Sequence, residues 1–132
     1  MAATKRILLV DDDSTYLFIM RRKIKKLLGE AEIVAAANGA EAMRLLQMDM
    51  LSNNLPHIII TDVEMPVMDG LTFARMLAGQ GMVDFTKTKV VLNSNKTTYN
   101  VMVKDLENFG VTFLAKPLTE PCLIRILECE PT

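Results

Sequence analysis

Ile58-Ile59-Ile60-Thr61-Asp62-Val63-Glu64-Met65-Pro66-Val67-Met68-Asp69-Gly70 is a short apolar run, an acid at its end, and a turn closed by Pro66 and Asp69-Gly70. An uninterrupted apolar run of this length suits a strand covered on both faces. Asp62 then sits where the strand leaves the sheet, the place where doubly wound sheets bind ligands. Three other stretches share the design. Ile7-Leu8-Leu9-Val10 runs into Asp11-Asp12-Asp13, Val90-Val91-Leu92 into Asn93-Ser94-Asn95, and Val111-Thr112-Phe113-Leu114-Ala115 into Lys116-Pro117. Apolar strands thus deliver carboxylates, a hydroxyl and one lysine to a common edge.

Composition bounds what that edge can serve. The 132 residues suffice for one domain with one core, and a 50% apolar content argues against disorder. A net charge of -1 argues against nucleic-acid binding through bulk charge. Cys122 and Cys129 lack metal spacing or a disulfide framework and read as free thiols in a reducing, cytoplasmic compartment. The only histidine, His57, excludes a multi-histidine metal site; at the strand end opposite Asp62 it reads as a satisfied or surface residue. No stretch approaches membrane-spanning length, and the start of the chain lacks a signal-peptide pattern. Residues 1–132 read as a single domain.

Between these strands the pattern turns helical. Ser14 is placed to cap a helix over 15–28, with Leu17, Met20, Ile24, Leu27 and Leu28 on one side. Its Arg21, Arg22, Lys25 and Lys26 read as a solvated face or a docking face for an acidic partner, with Phe18 off the core stripe. A strand over 32–36 precedes a helix over 40–47, in which Ala42, Leu45 and Leu46 point inward. The segment 48–54 reads as an extra helical turn and a loop whose methionines fill the core or, as the second reading, form a small exposed patch. Further helices are expected over 70–78, over 97–108 with a narrow stripe of Val101, Val103, Leu106 and Phe109, and from Thr119, its cap, to about 130. Five strands alternate with five helices over short connections, an α/β architecture with helices on both sheet faces.

Asp11, Asp12 and Asp62, brought together, give carboxylates that repel unless a cation joins them. Hard oxygen donors without soft ones select Mg²⁺, or Mn²⁺. Lys116 adds a mobile positive charge and Ser94 a hydroxyl. Together these compose a phosphoryl-transfer site, with a carboxylate nucleophile, a metal across the phosphoryl oxygens and an opposing cation. Each piece alone is weak; the signal is their placement at the ends of successive strands.

Four pieces carry a resemblance over nearly the whole chain: Leu8-Leu9-Val10-Asp11-Asp12-Asp13, Thr61 to Gly70, Leu92-Asn93-Ser94-Asn95, and Phe113-Leu114-Ala115-Lys116-Pro117. The chain resembles the receiver domain of two-component response regulators, of the stand-alone type. The resemblance implies a flavodoxin-like, doubly wound five-stranded parallel sheet of order 2-1-3-4-5 and a cis Lys116-Pro117 bond. It makes Asp62 the phosphoacceptor, modified to an aspartyl phosphate by a phosphohistidine on a sensor histidine kinase or phosphotransfer protein. Asp12 would bind Mg²⁺ directly and Asp11 through water, with Asp62 and the backbone carbonyl of Glu64 also in the metal site. Lys116 would pair with the phosphate, Ser94 would swing toward it, and Phe113 would follow as the aromatic switch. The signal would leave through the fourth helix, fifth strand and fifth helix, around Lys104, Phe113 and Ile126, to a downstream protein or a transient homodimer. Such a receiver assists its own phosphorylation and dephosphorylation but is no turnover enzyme.

Departures and rivals follow. Asn93 and Asn95 flank Ser94 where the family has an apolar and a small residue, and Glu64 and Lys96 occupy positions that tune phosphate lifetime. Asp11-Asp12-Asp13-Ser14-Thr15 also fits the pattern of haloacid-dehalogenase-like phosphatases, with Asp11 as nucleophile and Asp13 as acid/base. That reading leaves the Asp62 to Gly70 motif unexplained and lacks an acidic metal motif after Lys116. A phosphorylation-independent interaction module is the other alternative; direct DNA binding would need a basic helix-turn-helix that these residues do not contain.

Overall fold

The structure, a computed structural model, describes residues 5–65, 67–95, 106, 108 and 110–128. The strands are β1 (Lys5–Val10), β2 (Ala31–Ala36), β3 (Ile58–Asp62), β4 (Lys89–Ser94) and β5 (Thr112–Ala115). The helices are α1 (Ser14–Leu28), α2 (Gly39–Leu51), α3 (Gly70–Gln80) and α4 (Glu120–Glu128). All strands pair in parallel, in the order β2-β1-β3-β4-β5. The expected helix over 97–108 lies outside the described residues, apart from Leu106, which is buried, and Asn108. Lys96, Lys104, Pro66, Phe109 and Cys129 lie outside them too.

Strand alternation sorts the core into two layers. Leu8, Val10, Ile59, Val90 and Leu92 meet Ala42 and Leu46 of α2 and Phe73 and Leu77 of α3 on one face. Ile7, Leu9, Ile58, Ile60 and Val91 meet Met20 and Ile24 of α1 and Leu123, Ile126 and Leu127 of α4 on the other. Every residue of β3 is buried, as its unbroken apolar run requires of a central strand. The edge strand β2 leaves Glu32 and Val34 exposed.

Local chemistry sets the helix starts, and one expectation is corrected here. Asp13, not Ser14, caps α1: its carboxylate accepts the N–H groups of Thr15 and Tyr16. A carboxylate reaches these donors and also favours the positive end of the helix dipole. Asn38 caps α2 and Asp69 caps α3 in the same way. A second correction concerns α2: it continues by the expected extra turn to Leu51, but Met48, Met50 and Leu51 are exposed, the patch reading and not the core-filling one. About one more turn carries the helix on to Leu51, and its side chains there lie in solvent. A third concerns β4, which runs through Asn93 and Ser94 instead of ending at Leu92. Both polar residues are buried within the ladder rather than held in a loop. A fourth is Ile126, buried at the sheet and not on an outer surface.

The loop after β3 is held at both ends. Gly70 N–H donates to the Val63 carbonyl at 2.8 Å, and Gly39 N–H, at the start of α2, donates to the Met68 carbonyl at 3.0 Å. Between these anchors Val67 sits at φ 70° with its side chain 85% exposed. A β-branched residue in the left-handed region is strained, and this one gains little burial in return. Val67→Gly is expected to raise the unfolding free energy by about 1 kcal/mol, the relief of strain exceeding the entropy that glycine adds to the unfolded chain. Urea unfolding at constant m-value checks this, and a destabilised variant would show that the loop holds no such strain.

Candidate functional site

The sheet order creates the site. The chain leaves β1 toward β2 on one side and returns through β3 on the other, so a crevice opens past the carboxyl ends of β1 and β3. Val10 pairs with Thr61, which sets Asp11 and Asp62 side by side across that crevice. Asp11 and Asp62 are buried; Asp12, next in the chain, points outward and is exposed. Carboxylate oxygens of Asp11, Asp12 and Asp62 lie within 4.8 Å of one another. Lys116, at the end of β5, donates from Nζ to Asp11 Oδ2 at 2.7 Å and stands 3.4 Å from Asp62 Oδ1. A second bond, from Asp13 N–H to Asp11 Oδ1 at 2.9 Å, fixes the Asp11 carboxylate.

The electrostatics follow from burial and crowding. Burial pushes the Asp62 carboxyl upward and the nearby Asp11 charge adds to this; Lys116 and the N–H of Glu64 oppose them. Burial disfavours the Lys116 cation, but the bond to Asp11 and the charges of Asp11 and Asp62 outweigh it, so its value rises. One half-buried cation thus faces two buried carboxylates and an exposed third. This is an oxygen-only donor set with surplus negative charge, able to coordinate a hard divalent metal.

Of the residues singled out from the sequence, Asp11, Asp12, Asp62 and Lys116 converge. Ser94 is buried one register step from them, with Ala115 opposite it on β5 and its carbonyl accepting the Lys116 N–H at 2.8 Å. Phe113 is half-buried against the α2–α3 side of the core, the face on which Ser94 also lies. Asp13 is occupied as a helix cap, which removes the acid/base that a phosphatase of the rival type needs. His57 accepts the Arg6 N–H at 2.9 Å at the far end of the sheet, as expected of a satisfied histidine. Sequence reasoning missed Tyr16 and gave Asn93 the wrong place. Tyr16 lies in the first turn of α1, three residues after its cap, and its ring centroid is 4.4 Å from Lys116 Nζ. The available signal was a polar residue, Asn93, extending an otherwise apolar strand.

The sequence profile of the family described as response regulator receiver domain matches residues 7–128. The chain belongs to this family. The receiver is 31% identical over 112 residues to the transcriptional regulatory protein PrrA of Mycobacterium tuberculosis, covering 85% of this chain and 43% of PrrA. It is 32% identical over 131 residues to two-component system protein A of Emericella nidulans, covering 96% of this chain and 17% of that protein. The receiver therefore spans less than half the length of these curated relatives. Among solved structures it resembles a two component response regulator from Cytophaga hutchinsonii, with TM-score 0.82, 25% identity and 96% of each chain covered. It also resembles the Vibrio cholerae chemotaxis protein CheY4, with TM-score 0.73, 26% identity and coverage of 96% of this chain and 98% of that one. As a receiver it is a phosphoacceptor signalling module and not a turnover enzyme. Among the described residues no helix is long and apolar enough to cross a membrane.

Proposed function

We propose that Asp62 accepts a phosphoryl group from a phosphohistidine of a sensor histidine kinase or phosphotransfer protein. The observation that carries this is the placement of one half-buried lysine on two buried carboxylates, beside a third, at the sheet's switch point. An Asp62 oxygen attacks phosphorus in line, the bond from phosphorus to the donor nitrogen breaks, and the imidazole leaves with its electron pair and takes up a proton. Asp11, Asp12, Asp62 and the Glu64 carbonyl would hold Mg²⁺ (Mn²⁺ fits the same donors), which when bound neutralises charge on the phosphoryl oxygens. Lys116, already 3.4 Å from Asp62 Oδ1, supplies the opposing positive charge. Ser94 then hydrogen-bonds a phosphoryl oxygen, and Phe113 moves inward behind it. The new charge biases loops that already exchange between arrangements, and the change reaches a downstream partner or second copy through the surface around β5 and α4.

Exposed Phe18 and Ile19 on α1, with the Arg22 guanidinium 5.7 Å from the Phe18 ring, flank the site and support docking of the donor protein there. The free thiol of Cys122 supports a cytoplasmic setting. Intact mass after incubation with Mg²⁺ and a small acyl phosphate tests the acceptor. A gain of one phosphoryl group is expected, absent from Asp62→Ala and absent when Mg²⁺ is chelated. Wild-type protein that gains nothing, or Asp62→Ala that still gains it, would overturn the assignment; the first outcome would favour a phosphorylation-independent module.

A further inference from the structure

Beneath Lys116 lies a polar arrangement that apolar packing alone does not require. The Tyr16 hydroxyl donates to Asn93 Oδ1 at 2.7 Å, and Asn93 Nδ2 donates to the Leu114 carbonyl at 2.9 Å. Through this pair the hydroxyl ties α1 to the end of β4 and, by way of Asn93, to β5 just before Lys116. Asn93 is 1% exposed, so either polar end would be costly if left unpaired. An apolar pair at positions 16 and 93 would fill the space without that demand. What the polar pair adds is a directional tether on the ring, from its hydroxyl to Asn93. Among the described residues, a cavity of about 10 Å³ lies beside the ring, lined also by Met20, Ile60, Asp11 and Asp62.

Over this ring sits the ammonium of Lys116, 4.4 Å from the centroid. A cation over an aromatic face is attracted without a single preferred direction, and more strongly when water is excluded. Lysine is a point charge on a flexible stem, so nothing in its own chemistry holds it in place. It is 2.7 Å from Asp11 and 3.4 Å from Asp62, so the cation lies nearer the first carboxylate while remaining within reach of the second. We propose that Tyr16, oriented by Asn93, is a positioning residue for Lys116, its ring forming the platform across which the ammonium passes from Asp11 to a phosphoryl oxygen on Asp62. The second half of this proposal rests on the phosphotransfer reading above. Burial raises the phenol's pKa and outweighs the Lys116 charge beside it, so the hydroxyl remains protonated and able to donate to Asn93.

Two readouts test it. The ring-current displacement of the Lys116 Cε protons, read by NMR, reports the ring under the ammonium without any phosphate. The rate of mass gain from a small acyl phosphate at fixed Mg²⁺ reports its use. Tyr16→Leu is expected to abolish the displacement and slow uptake roughly tenfold. Tyr16→Phe keeps the ring but frees it from Asn93, and is expected to lie between wild type and Tyr16→Leu in both. In the double variant Tyr16→Phe with Asn93→Leu, an apolar pair restores stability without restoring the rate. An ordinary Lys116 shift in the wild type, wild-type uptake by Tyr16→Leu, or Tyr16→Phe equal to wild type in both readouts would each overturn the proposal. Should wild type show the displaced shift yet take up no phosphate, the phosphotransfer reading fails and the platform stands as a structural contact only, which also overturns the second half.

Discussion

Gly70→Ala is expected to lower the unfolding free energy by about 3 kcal/mol or more, the largest effect of a methyl group added at any of the six glycines. A Cβ at Gly70 would stand 2.0 Å from the Asp62 carbonyl oxygen and 2.9 Å from Val63 Cα. Those neighbours are backbone and cannot rotate away. The bond from Gly70 N–H to Val63, at 2.8 Å, draws the two segments together and leaves the methyl no exit. The chain must then open the loop after β3, losing that bond and the capped start of α3, or push Asp62 out of the crevice. Urea unfolding measures the first effect, and phosphoryl uptake by the fraction that remains folded measures the second. A change within about 1 kcal/mol, the range of an ordinary surface substitution, would show that the loop has slack the close approach denies. Gly39 makes a milder contrast, since its nearest neighbours include the flexible Met68 side chain at 2.9 Å.

Lys116→Met is expected to cost about 3 kcal/mol at neutral pH without divalent metal, and to slow phosphoryl uptake by about a hundredfold. Removing the cation leaves two carboxylates facing each other, Asp11 at 3% and Asp62 at 8% exposure, without a compensating charge. The pH dependence gives the sign. Lys116 has a raised value in the folded protein, so its contribution is complete below the ordinary lysine value and is lost as pH rises through the folded one. Lys116→Met has no such alkaline loss. Asp62 also has a raised value, so its ionisation disfavours the fold, and stability recovers as pH falls through the folded value toward the ordinary carboxylate range. Without the opposing lysine that recovery begins at a higher pH. Mg²⁺ should stabilise the variant as well as the wild type, because a ligand that binds only the native state adds to its stability. Unfolding curves across pH, with and without Mg²⁺, carry all three expectations. A variant as stable as wild type at neutral pH without metal would mean that the carboxylates are not coupled as their distances require.

The alternation of apolar runs with helical stripes, and the polar residues at the run ends, were legible because both are local. Each strand's residues record that it is buried on two faces, as β3 does in full, and the acids at the ends of β1 and β3 record where the chain leaves the sheet. From these alone the α/β class follows, and so does the set Asp11, Asp12, Asp62 and Lys116. The resemblance added the strand order, which the register of β1 on β3 bears out.

Other features depend on what lies opposite a residue in space, and no spacing along the chain records that. Ser14 and Asp13 are both adequate caps by type, and the direction in which the chain enters α1 selects Asp13. Met48 and Leu51 carry a core composition, yet both are exposed at the end of α2. Asn93 is polar at the end of an apolar run, and its inclusion in β4 depends on partners 77 and 21 residues away, at Tyr16 and Leu114. The placement of Tyr16 beneath Lys116 joins the first helix to the last strand. It arises only when parallel pairing closes the sheet, because a side-chain contact across layers is set by packing and not by the local preferences of either residue.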